Sequence, residues 1–345
     1  MYPAIAYAKA FQRHDPKGHI LFVGTGKDVE QNILSQEGFS IEPIRVEGVV
    51  GKSALSMFRA LWLLPQSIWR SLEILRAKHT DLVIGTGGYF SPPVVFAAWL
   101  LRIPRVLLEP NAMPGLANRM LGPLASRIFL AFESAMSFFP SSKVRVIGTP
   151  IRQAFVLEYP PALPQRVKHL LIFGGSQGAQ AINTAVLEAT ERSAIIRESV
   201  TMTHQTGAAD CERVRQGYER LGMQADVQPF LFDMPKELAK ADLVICRAGA
   251  STLAELAAYG KVGILIPFPH ATHNHQEMNA MAMEHSGAAR MLRQSELNGQ
   301  RLAEEIECMM QDIPALQSMA GKSWEARKVD ATEQMVRECR SLVPC

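Results

Sequence analysis

The sequence predicts an α/β protein made of two Rossmann-like domains that face a ligand-binding cleft. Short apolar runs alternate with longer helical patterns along the chain, which is typical of βαβ units and a mostly parallel sheet. The chain has 345 residues, and at about 150 residues per domain this length fits two domains. A glycine-rich turn follows an apolar run in each half, at residues 85–89 and 174–179. Two such turns in two halves predict a ligand bound by both domains.

Ten short apolar runs are predicted to be β-strands, five in each half of the chain. They are residues 20–23, 82–84, 105–108, 127–130, 144–147, 170–173, 200–204, 225–229, 243–246 and 262–266. The proline-rich segment 159–164 resists both helix and central strand. We therefore expect an N-terminal domain at residues 1–158 and a C-terminal domain at residues 159–328, with a last helix at about 329–342 packing back on the first domain.

The bulk composition excludes several classes of protein. Hydrophobic residues make up 48% and charged residues 20%, which indicates a folded chain rather than a disordered one. A net charge of +3 gives no reason to expect nucleic acid as a partner. No apolar run reaches the ~18 residues of a transmembrane helix, and the N-terminus lacks the pattern of a signal peptide. Five scattered cysteines fit a reducing compartment.

The chain begins in a segment that already has a helical pattern. Pro3 suits the first turn of a helix over the opening residues. In a doubly wound domain such a helix normally follows a strand and a turn. We therefore expect the first domain to lack its first strand, with exposed backbone and apolar surface as a consequence.

The turn at residues 174–179, Gly-Gly-Ser-Gln-Gly-Ala, has the pattern of an anion site. Backbone N–H groups and the dipole of the following helix would both point at a phosphate there. A nicotinamide cofactor is disfavoured, because the next predicted strand ends in Thr203, His204 and Gln205 without a carboxylate. A tight turn that binds no ligand is the alternative.

Residues 246–255 place a carboxylate near the start of another helix. Thr252 and Glu255 have the spacing of a capping box. The functional alternative is that Glu255, in the first helical turn, accepts hydrogen bonds from the hydroxyls of a ribose. Spacing alone does not separate the two interpretations.

Three histidines lie close together in the loop at residues 267–276. Their spacing, H-x-x-H-x-H, fits no common zinc pattern, and no cysteine or carboxylate completes a set, so we predict no metal and no cofactor. The loop lies at the carboxyl end of a strand, where open α/β sheets bind ligands. Gln276 could use its amide to recognise a base or a sugar hydroxyl there.

Two further segments, 109–111 and 148–152, follow predicted strands of the first half. Both would face the expected cleft. The guanidinium of Arg152 suits a pyrophosphate. A surface or inter-domain ion pair is the alternative role for Arg152.

Residues 53–78 are more apolar than a single core-facing stripe requires. The apolar residues include Met57, Phe58, Leu61, Trp62 and Trp69, with Arg59, Arg70, Arg76 and Lys78 among them. Tryptophans flanked by cations suit a helix that lies on anionic lipid. Pro65 is expected to break this segment into two helices. A hairpin of core helices is the alternative.

Taken together, these segments resemble the MurG family of peptidoglycan glycosyltransferases. The matching segments run in family order over essentially the whole chain: residues 85–89 with Ser91 and Pro92, 109–111 with Pro114, Gly115 and Asn118, 148–152, 174–179, 246–255 and 274–280. The resemblance implies a glycosyltransferase fold of the B type. It also implies transfer of N-acetylglucosamine from UDP-N-acetylglucosamine to the undecaprenyl-linked muramyl-pentapeptide, lipid I, with inversion.

The resemblance also implies which residues bind the substrates. Asn111 would contact the donor sugar, Arg152 and Ser176 the donor from opposite domains, and Leu231 the uracil. The nucleotide would lie against Ala250, Ser251, Thr252, Leu253, Ala254 and Glu255, with Glu255 on the ribose and Gln276 facing the sugar. The first domain would hold lipid I, with Trp62 and Trp69 toward the cytoplasmic side of the plasma membrane.

One departure from the family bears on catalysis. The family has a glycine turn before the segment that matches residues 1–6, and that turn carries a histidine, the expected general base. We therefore assign no catalytic residue in this sequence. Either the start is an internal methionine, or the chain is a truncated, inactive sugar-nucleotide-binding protein. A related glycolipid glycosyltransferase and a UDP-N-acetylglucosamine epimerase are further alternatives.

Overall fold

The computed structural model of the chain describes residues 1–46 and 54–343, apart from the side chains of Val29 and residues 54–61. The predictions for Met57, Phe58, Arg59 and Leu61 therefore lie outside the described side chains. The chain divides into two compact units, one formed by Met1–Arg152 with Val329–Cys345 and the other by Gln153–Lys328.

The first unit alternates strands and helices in chain order. Its strands are β1 (Leu21–Gly24), β2 (Ser40–Pro43), β3 (Val83–Gly85), β4 (Arg105–Glu109), β5 (Arg127–Leu130) and β6 (Val144–Val146). Its helices are α1 (Tyr2–His14), α2 (Asp28–Gln36), α3 (Ala54–Ala77), α4 (Ser91–Leu100) and α5 (Leu116–Leu121), with α14 (Ala331–Arg340) returning from the end of the chain. As predicted, α1 carries a proline in its first turn.

The strands of the first unit form two parallel sheets. One sheet pairs β1 with β2, and the other has the order β3-β4-β5-β6. Helices α1 and α14 pack together on one face of the larger sheet, where Tyr7 and Met335 contact a core that includes Val106 and Phe129. Burial of each such apolar side chain contributes roughly 1.5–3 kcal/mol, which explains why the C-terminal helix returns to this unit.

The second unit is one six-stranded parallel sheet with helices around it. Its strands are β7 (His169–Phe173), β8 (Thr201–Gln205), β9 (Ala225–Gln228), β10 (Leu243–Cys246), β11 (Gly263–Leu265) and β12 (Ala289–Met291). Its helices are α6 (Gln180–Arg192), α7 (Ala194–Ser199), α8 (Cys211–Arg220), α9 (Met234–Lys240), α10 (Ala250–Ala258), α11 (His275–His285), α12 (Gly299–Gln311) and α13 (Ile313–Glu325).

The strand order of the second unit, β12-β11-β10-β7-β8-β9, reverses between β7 and β10. The central strands β7 and β10 are apolar apart from His169 at the start of β7, and they are covered on both faces, as Ile172 and Ile245 are on one face and Leu171 and Val244 on the other. In open α/β sheets a ligand binds at the carboxyl ends of the strands where the order reverses. The topology therefore directs attention to the segments that follow β7 and β10.

All ten predicted strands are confirmed to within one residue at each end. Two short strands, β2 and β12, were not predicted. The strand β2 ends in Pro43 and carries Glu42, and β12 has Arg290 between Ala289 and Met291, so neither shows the apolar run on which the prediction depended.

The expectation that Pro65 breaks its segment is wrong, because α3 continues through it as one helix. Pro65 lies on an exposed face of α3. The carbonyl that loses its N–H partner four residues earlier can therefore bond to water instead.

Candidate functional site

Two helices of the second unit follow neighbouring strands at the carboxyl edge of its sheet. Strands β7 and β10 are hydrogen-bonded neighbours that end in register at Phe173 and Cys246. Helix α6 follows β7 and helix α10 follows β10, and no side chain caps the N-terminus of either helix. Uncapped helix N-termini present unpaired N–H groups and a positive dipole end, so this edge is suited to an anion.

The turn before α6 depends on glycine at particular positions. Gly175 and Gly178 have φ angles of +93° and +73°, which side chains with a Cβ rarely adopt. A Cβ at Gly178 would also overlap the carbonyl oxygen of Thr206 and lie 2.7 Å from the nitrogen of Gly207. Ser176 is exposed at the tip of this turn. The backbone of one loop therefore packs directly on the backbone of the next.

A buried polar network holds that neighbouring loop in place. Asn183 donates from Nδ2 to the carbonyl of Thr206 at 3.0 Å and accepts at Oδ1 from His204 Nε2 at 3.1 Å. The other ring nitrogen of His204 lies 2.9 Å from the hydroxyl of Tyr218. Burial lowers the pKa of His204 from 6.5 to about 3, so the imidazole is neutral in the folded protein.

The N-terminus of α10 differs from the capping-box prediction. Gly249 is the N-cap residue, and its carbonyl accepts the first helical bond from Leu253 N at 3.0 Å. The capping-box interpretation is therefore wrong, because Thr252 is the third residue of the helix rather than its cap. Glu255 lies in the second turn, not the first, and is half-buried. The backbone N–H groups of Ala250, Ser251 and Thr252 lie in the first turn, where no carbonyl of the helix itself accepts from them.

Leu231 lies in the loop that follows β9 and is 5% exposed. Its backbone N–H donates to the side chain of Gln205 at 3.3 Å. The neighbouring Phe232 is 88% exposed and packs edge-on against Phe230. This backbone hydrogen bond anchors Leu231 at the same edge of the sheet as the glycine turn.

The loop between β11 and α11 contains two residues in the left-handed region. His273 and Asn274 have φ angles of +53° and +56°, a strained arrangement that is common at functional sites. Gln276 accepts at Oε1 from the N–H of Phe268 at 3.0 Å. Its amide nitrogen is therefore the group directed to other partners. Asn279, on the same helix, donates to the carbonyl of Ala248 at 3.2 Å and so ties α11 to the segment before α10.

Arg247 supports this loop and was given no role by the sequence. Its guanidinium donates to the carbonyls of Ile266 and Pro267, both at 3.1 Å, and to Gln294 Oε1 at 2.7 Å. It also lies 5.4 Å from the ring centroid of Phe268. Burial lowers the pKa of Arg247.

Within the described part of the chain, no three His, Cys, Asp or Glu side chains are grouped as metal ligands would be.

A buried carboxylate organises the corresponding edge of the first unit. Glu109, at the end of β4, is 2% exposed. It accepts from the backbone N–H of Asn111 at 3.1 Å and from Asn111 Nδ2, Gly115 N and Asn118 Nδ2 at 3.0 Å each. These bonds fix the side chain of Asn111, the residue predicted to contact a sugar. Glu109 was named in the sequence only as part of a loop.

The second glycine turn of the chain lies beside this loop. Gly87 and Gly88 have φ angles of +82° and +75°, and a Cβ at Gly87 would lie 3.5 Å from Nδ2 of the buried Asn118. Ser91 donates to the carbonyl of Gly87 at 2.7 Å where α4 begins. Arg152, also in this unit, is half-buried with its guanidinium 5.1 Å from the ring centroid of Tyr2.

An exposed apolar surface covers helices α3, α4 and α5 of the first unit. Its side chains are 41–70% exposed and comprise Trp62, Trp69, Trp99, Leu100, Leu116 and Met120. The three helices pack in sequence, α3 on α4 and α4 on α5. The exposed cations Arg70, Arg102 and Arg119 lie on the same helices or at their ends. Among the residues that the structure describes, no helix has the length and apolarity needed to cross a bilayer.

Comparison with known proteins places the chain in a family. Residues 1–130 match the N-terminal domain of glycosyltransferase family 28, and residues 169–335 match its C-terminal domain. The chain is 42% identical, over 99% of its length and 90% of the relative's, to UDP-N-acetylglucosamine–N-acetylmuramyl-(pentapeptide) pyrophosphoryl-undecaprenol N-acetylglucosamine transferase of Myxococcus xanthus. It is 41% identical to the enzyme of the same name from Syntrophotalea carbinolica, covering 99% and 95% of the two chains.

Solved structures agree with this assignment. The crystal structure of Acinetobacter baumannii MurG superposes with a TM-score of 0.79 at 28% identity, covering 99% of this chain and 95% of that one. The UDP-GlcNAc 2-epimerase of Neisseria meningitidis shares only the fold, with a TM-score of 0.66 at 12% identity over 99% and 96% of the chains. The chain has the two-domain α/β fold of B-type glycosyltransferases and belongs to the MurG family.

Proposed function

We propose that this chain transfers N-acetylglucosamine from UDP-N-acetylglucosamine to lipid I, forming lipid II for peptidoglycan synthesis. One observation carries the proposal: α6 and α10, whose N-termini no side chain caps, follow the neighbouring strands β7 and β10 where the strand order of the second unit reverses. This is the arrangement that binds a diphosphate. Relatives at about 40% identity carry the name of that transferase.

The second unit is the donor-binding unit in this proposal. The turn at Gly175 and Ser176 and the first turn of α10 bind the diphosphate, and Leu231 lies against the uracil. Glu255 accepts hydrogen bonds from the ribose hydroxyls, and the amide nitrogen of Gln276 donates to the sugar. Each of these groups lies on a segment that follows the carboxyl end of a strand in one sheet, so together they can contact one ligand.

In this proposal the first unit holds lipid I, and two of its residues, Asn111 and Arg152, keep the contacts to the donor that the family resemblance implies. Glu109 holds Asn111 in the geometry described above, which orients the amide of Asn111 toward a sugar. Arg152 adds a positive charge for a pyrophosphate.

The proposed reaction is a direct displacement at the anomeric carbon. The muramyl hydroxyl attacks the anomeric carbon and gives up its proton to a general base, a role to which no residue is assigned here. The bond between the anomeric carbon and the diphosphate oxygen breaks, UDP leaves, and the configuration inverts. Negative charge grows on the leaving diphosphate, and the helix N-termini are preorganised to stabilise that charge.

We further propose that the exposed surface on α3, α4 and α5 rests on the cytoplasmic face of the plasma membrane. Trp62 and Trp69 lie seven residues apart, so they share one face of α3. They are 68% and 65% exposed to water, and this apolar exposure would be relieved if the indoles entered the lipid headgroup layer. The neighbouring arginines would attract anionic lipid.

The test is a transfer assay with radiolabelled UDP-N-acetylglucosamine and lipid I in detergent micelles. We expect labelled lipid II as product and free UDP in equal amount. Turnover with diacylglycerol instead of lipid I would identify a glycolipid transferase. Conversion of the donor without an acceptor would identify an epimerase, and binding of the donor without any turnover would identify an inactive nucleotide-sugar-binding protein.

A further inference from the structure

Gln205 is a buried amide that lies between two loops of the donor-binding unit. It is the last residue of β8, which is flanked by β7 and β9, and it is 2% exposed. Its Nε2 donates to the carbonyl of Gly175 at 2.7 Å, and its Oε1 accepts from the N–H of Leu231 at 3.3 Å. One side chain therefore bonds to the loop after β7 and to the loop after β9.

Each of these two hydrogen bonds involves a backbone group that fixes the conformation of its loop. The carbonyl of Gly175 also accepts from Gly178 N at 2.8 Å, the bond that closes the glycine turn. The N–H of Leu231 fixes the backbone of a residue that is itself buried. A planar amide suits this position because it carries a donor and an acceptor at a fixed separation.

We propose that Gln205 is a positioning residue that sets the spacing between the diphosphate turn and the uracil-facing segment. The inference rests on the proposed function, since it assumes that the donor's diphosphate and base bind to those two segments. Gln205 acts through Gly175 and Leu231, because its own side chain is buried beneath them. A donor that spans both loops binds tightly only when their separation matches the length of the nucleotide.

Two substitutions separate the roles of the amide. Gln205→Met keeps the length of the side chain but leaves the Gly175 carbonyl and the Leu231 N–H without their partner. Gln205→Glu can still accept from Leu231 but, when ionised, repels the Gly175 carbonyl. A protonated glutamic acid has one O–H donor and one carbonyl acceptor, and so reproduces the amide. Burial raises the pKa of a carboxyl group, which brings this protonation into an accessible range.

The experiment measures UDP-N-acetylglucosamine binding by calorimetry and the KM values for donor and lipid I. For Gln205→Met we expect donor affinity to fall on the order of 10-fold or more, because buried polar groups lose their bonds, with the KM for lipid I unchanged. For Gln205→Glu we expect weak binding at about pH 8 and recovery toward wild-type affinity at about pH 6, as the carboxyl takes up a proton. The donor affinity of the wild-type protein should be the same at both pH values.

Thr203→Val is the matched control. Thr203 lies two residues earlier on β8, is also 2% exposed, and donates to Glu237 Oε2 at 3.3 Å. Its loss removes this bond and the contact of Thr203 Oγ1 with His169 Nε2 at 3.1 Å, without touching either loop. We expect Thr203→Val to lower the melting temperature while binding the donor as the wild type does.

Two results would overturn the inference while leaving the proposed function intact. One is wild-type donor affinity in Gln205→Met. The other is an equal loss of affinity in Thr203→Val. A wild-type protein that binds the donor but does not modify lipid I would refute only the proposed reaction. A wild-type protein that does not bind the donor would refute both proposals.

Discussion

Replacing Gly178 with alanine tests whether close backbone packing shapes the turn at residues 174–179, which we propose binds the donor's diphosphate. A Cβ at this position would overlap the carbonyl oxygen of Thr206 and lie 2.7 Å from Gly207 N. The φ angle of Gly178 is also +73°. We therefore expect Gly178→Ala to lower both the stability of the second unit and its affinity for UDP.

The size of the stability loss follows from two separate contributions. Holding an L-residue in the left-handed region costs roughly 1–2 kcal/mol. Forcing an extra carbon into a packed contact costs roughly 1–3 kcal/mol more, since the atoms in the way are backbone and cannot rotate aside. The free energy of unfolding should therefore fall by about 2–5 kcal/mol.

Gly222→Ala is the matched control for the conformational contribution. Gly222 has a φ angle of +64°, but a Cβ there would meet no atom within 4 Å. Urea titrations of the three proteins should therefore rank wild type, Gly222→Ala and Gly178→Ala in falling stability. Calorimetry should show weaker UDP binding for Gly178→Ala alone. The reasoning is refuted if the two variants are equally stable and both bind UDP as the wild type does.

Three further predictions concern other parts of the chain. The pKa of His204 is about 3 in the folded protein and 6.5 ordinarily. Between pH 6.5 and pH 3, therefore, only the unfolded chain binds a proton on this imidazole. Unfolding titrations should show this group removing about 2 kcal/mol of stability from pH 7 to pH 5, a loss that is absent in His204→Gln; an unchanged slope would contradict the assignment. Glu109→Gln places an amide among four donors and should cost about 1–3 kcal/mol in a thermal melt and slow transfer, whereas the exposed Glu133→Gln should cost less than about 0.5 kcal/mol. The double variant Trp62→Ser, Trp69→Ser should float less with phosphatidylglycerol vesicles than the wild-type protein. The control Tyr159→Ser removes an exposed aromatic ring outside that surface and should float as the wild type does. Equal flotation of the wild type, the double variant and Tyr159→Ser would leave α3 with a purely structural role.

Local patterns made most of the fold predictable. The apolar runs of β7 and β10 could be recognised because a strand covered on both faces must be apolar at every position. Pro3 and the glycines of residues 174–178 mark backbone conformations that few other residues adopt. The strands β2 and β12 lack such signals and form through pairing with a neighbour. The start of α10 was misplaced by three residues, because Gly249 caps the helix without a side chain.

The supporting residues of the site could not be predicted, because their roles depend on contacts between segments far apart in the sequence. In the sequence Glu109 is indistinguishable from any carboxylate that follows an apolar run. Its role is visible only in the fold, where Asn118 Nδ2 donates to it. Gln205 lies 30 residues from Gly175 and 26 from Leu231, and no spacing rule connects them. Sequence patterns therefore indicate groups that sit on strand ends and helix starts, since those positions have local signatures. The residues that fix the distances between such groups carry no local signature. We expect them to set the affinity, because a ligand that spans several loops is sensitive to small changes in their separation.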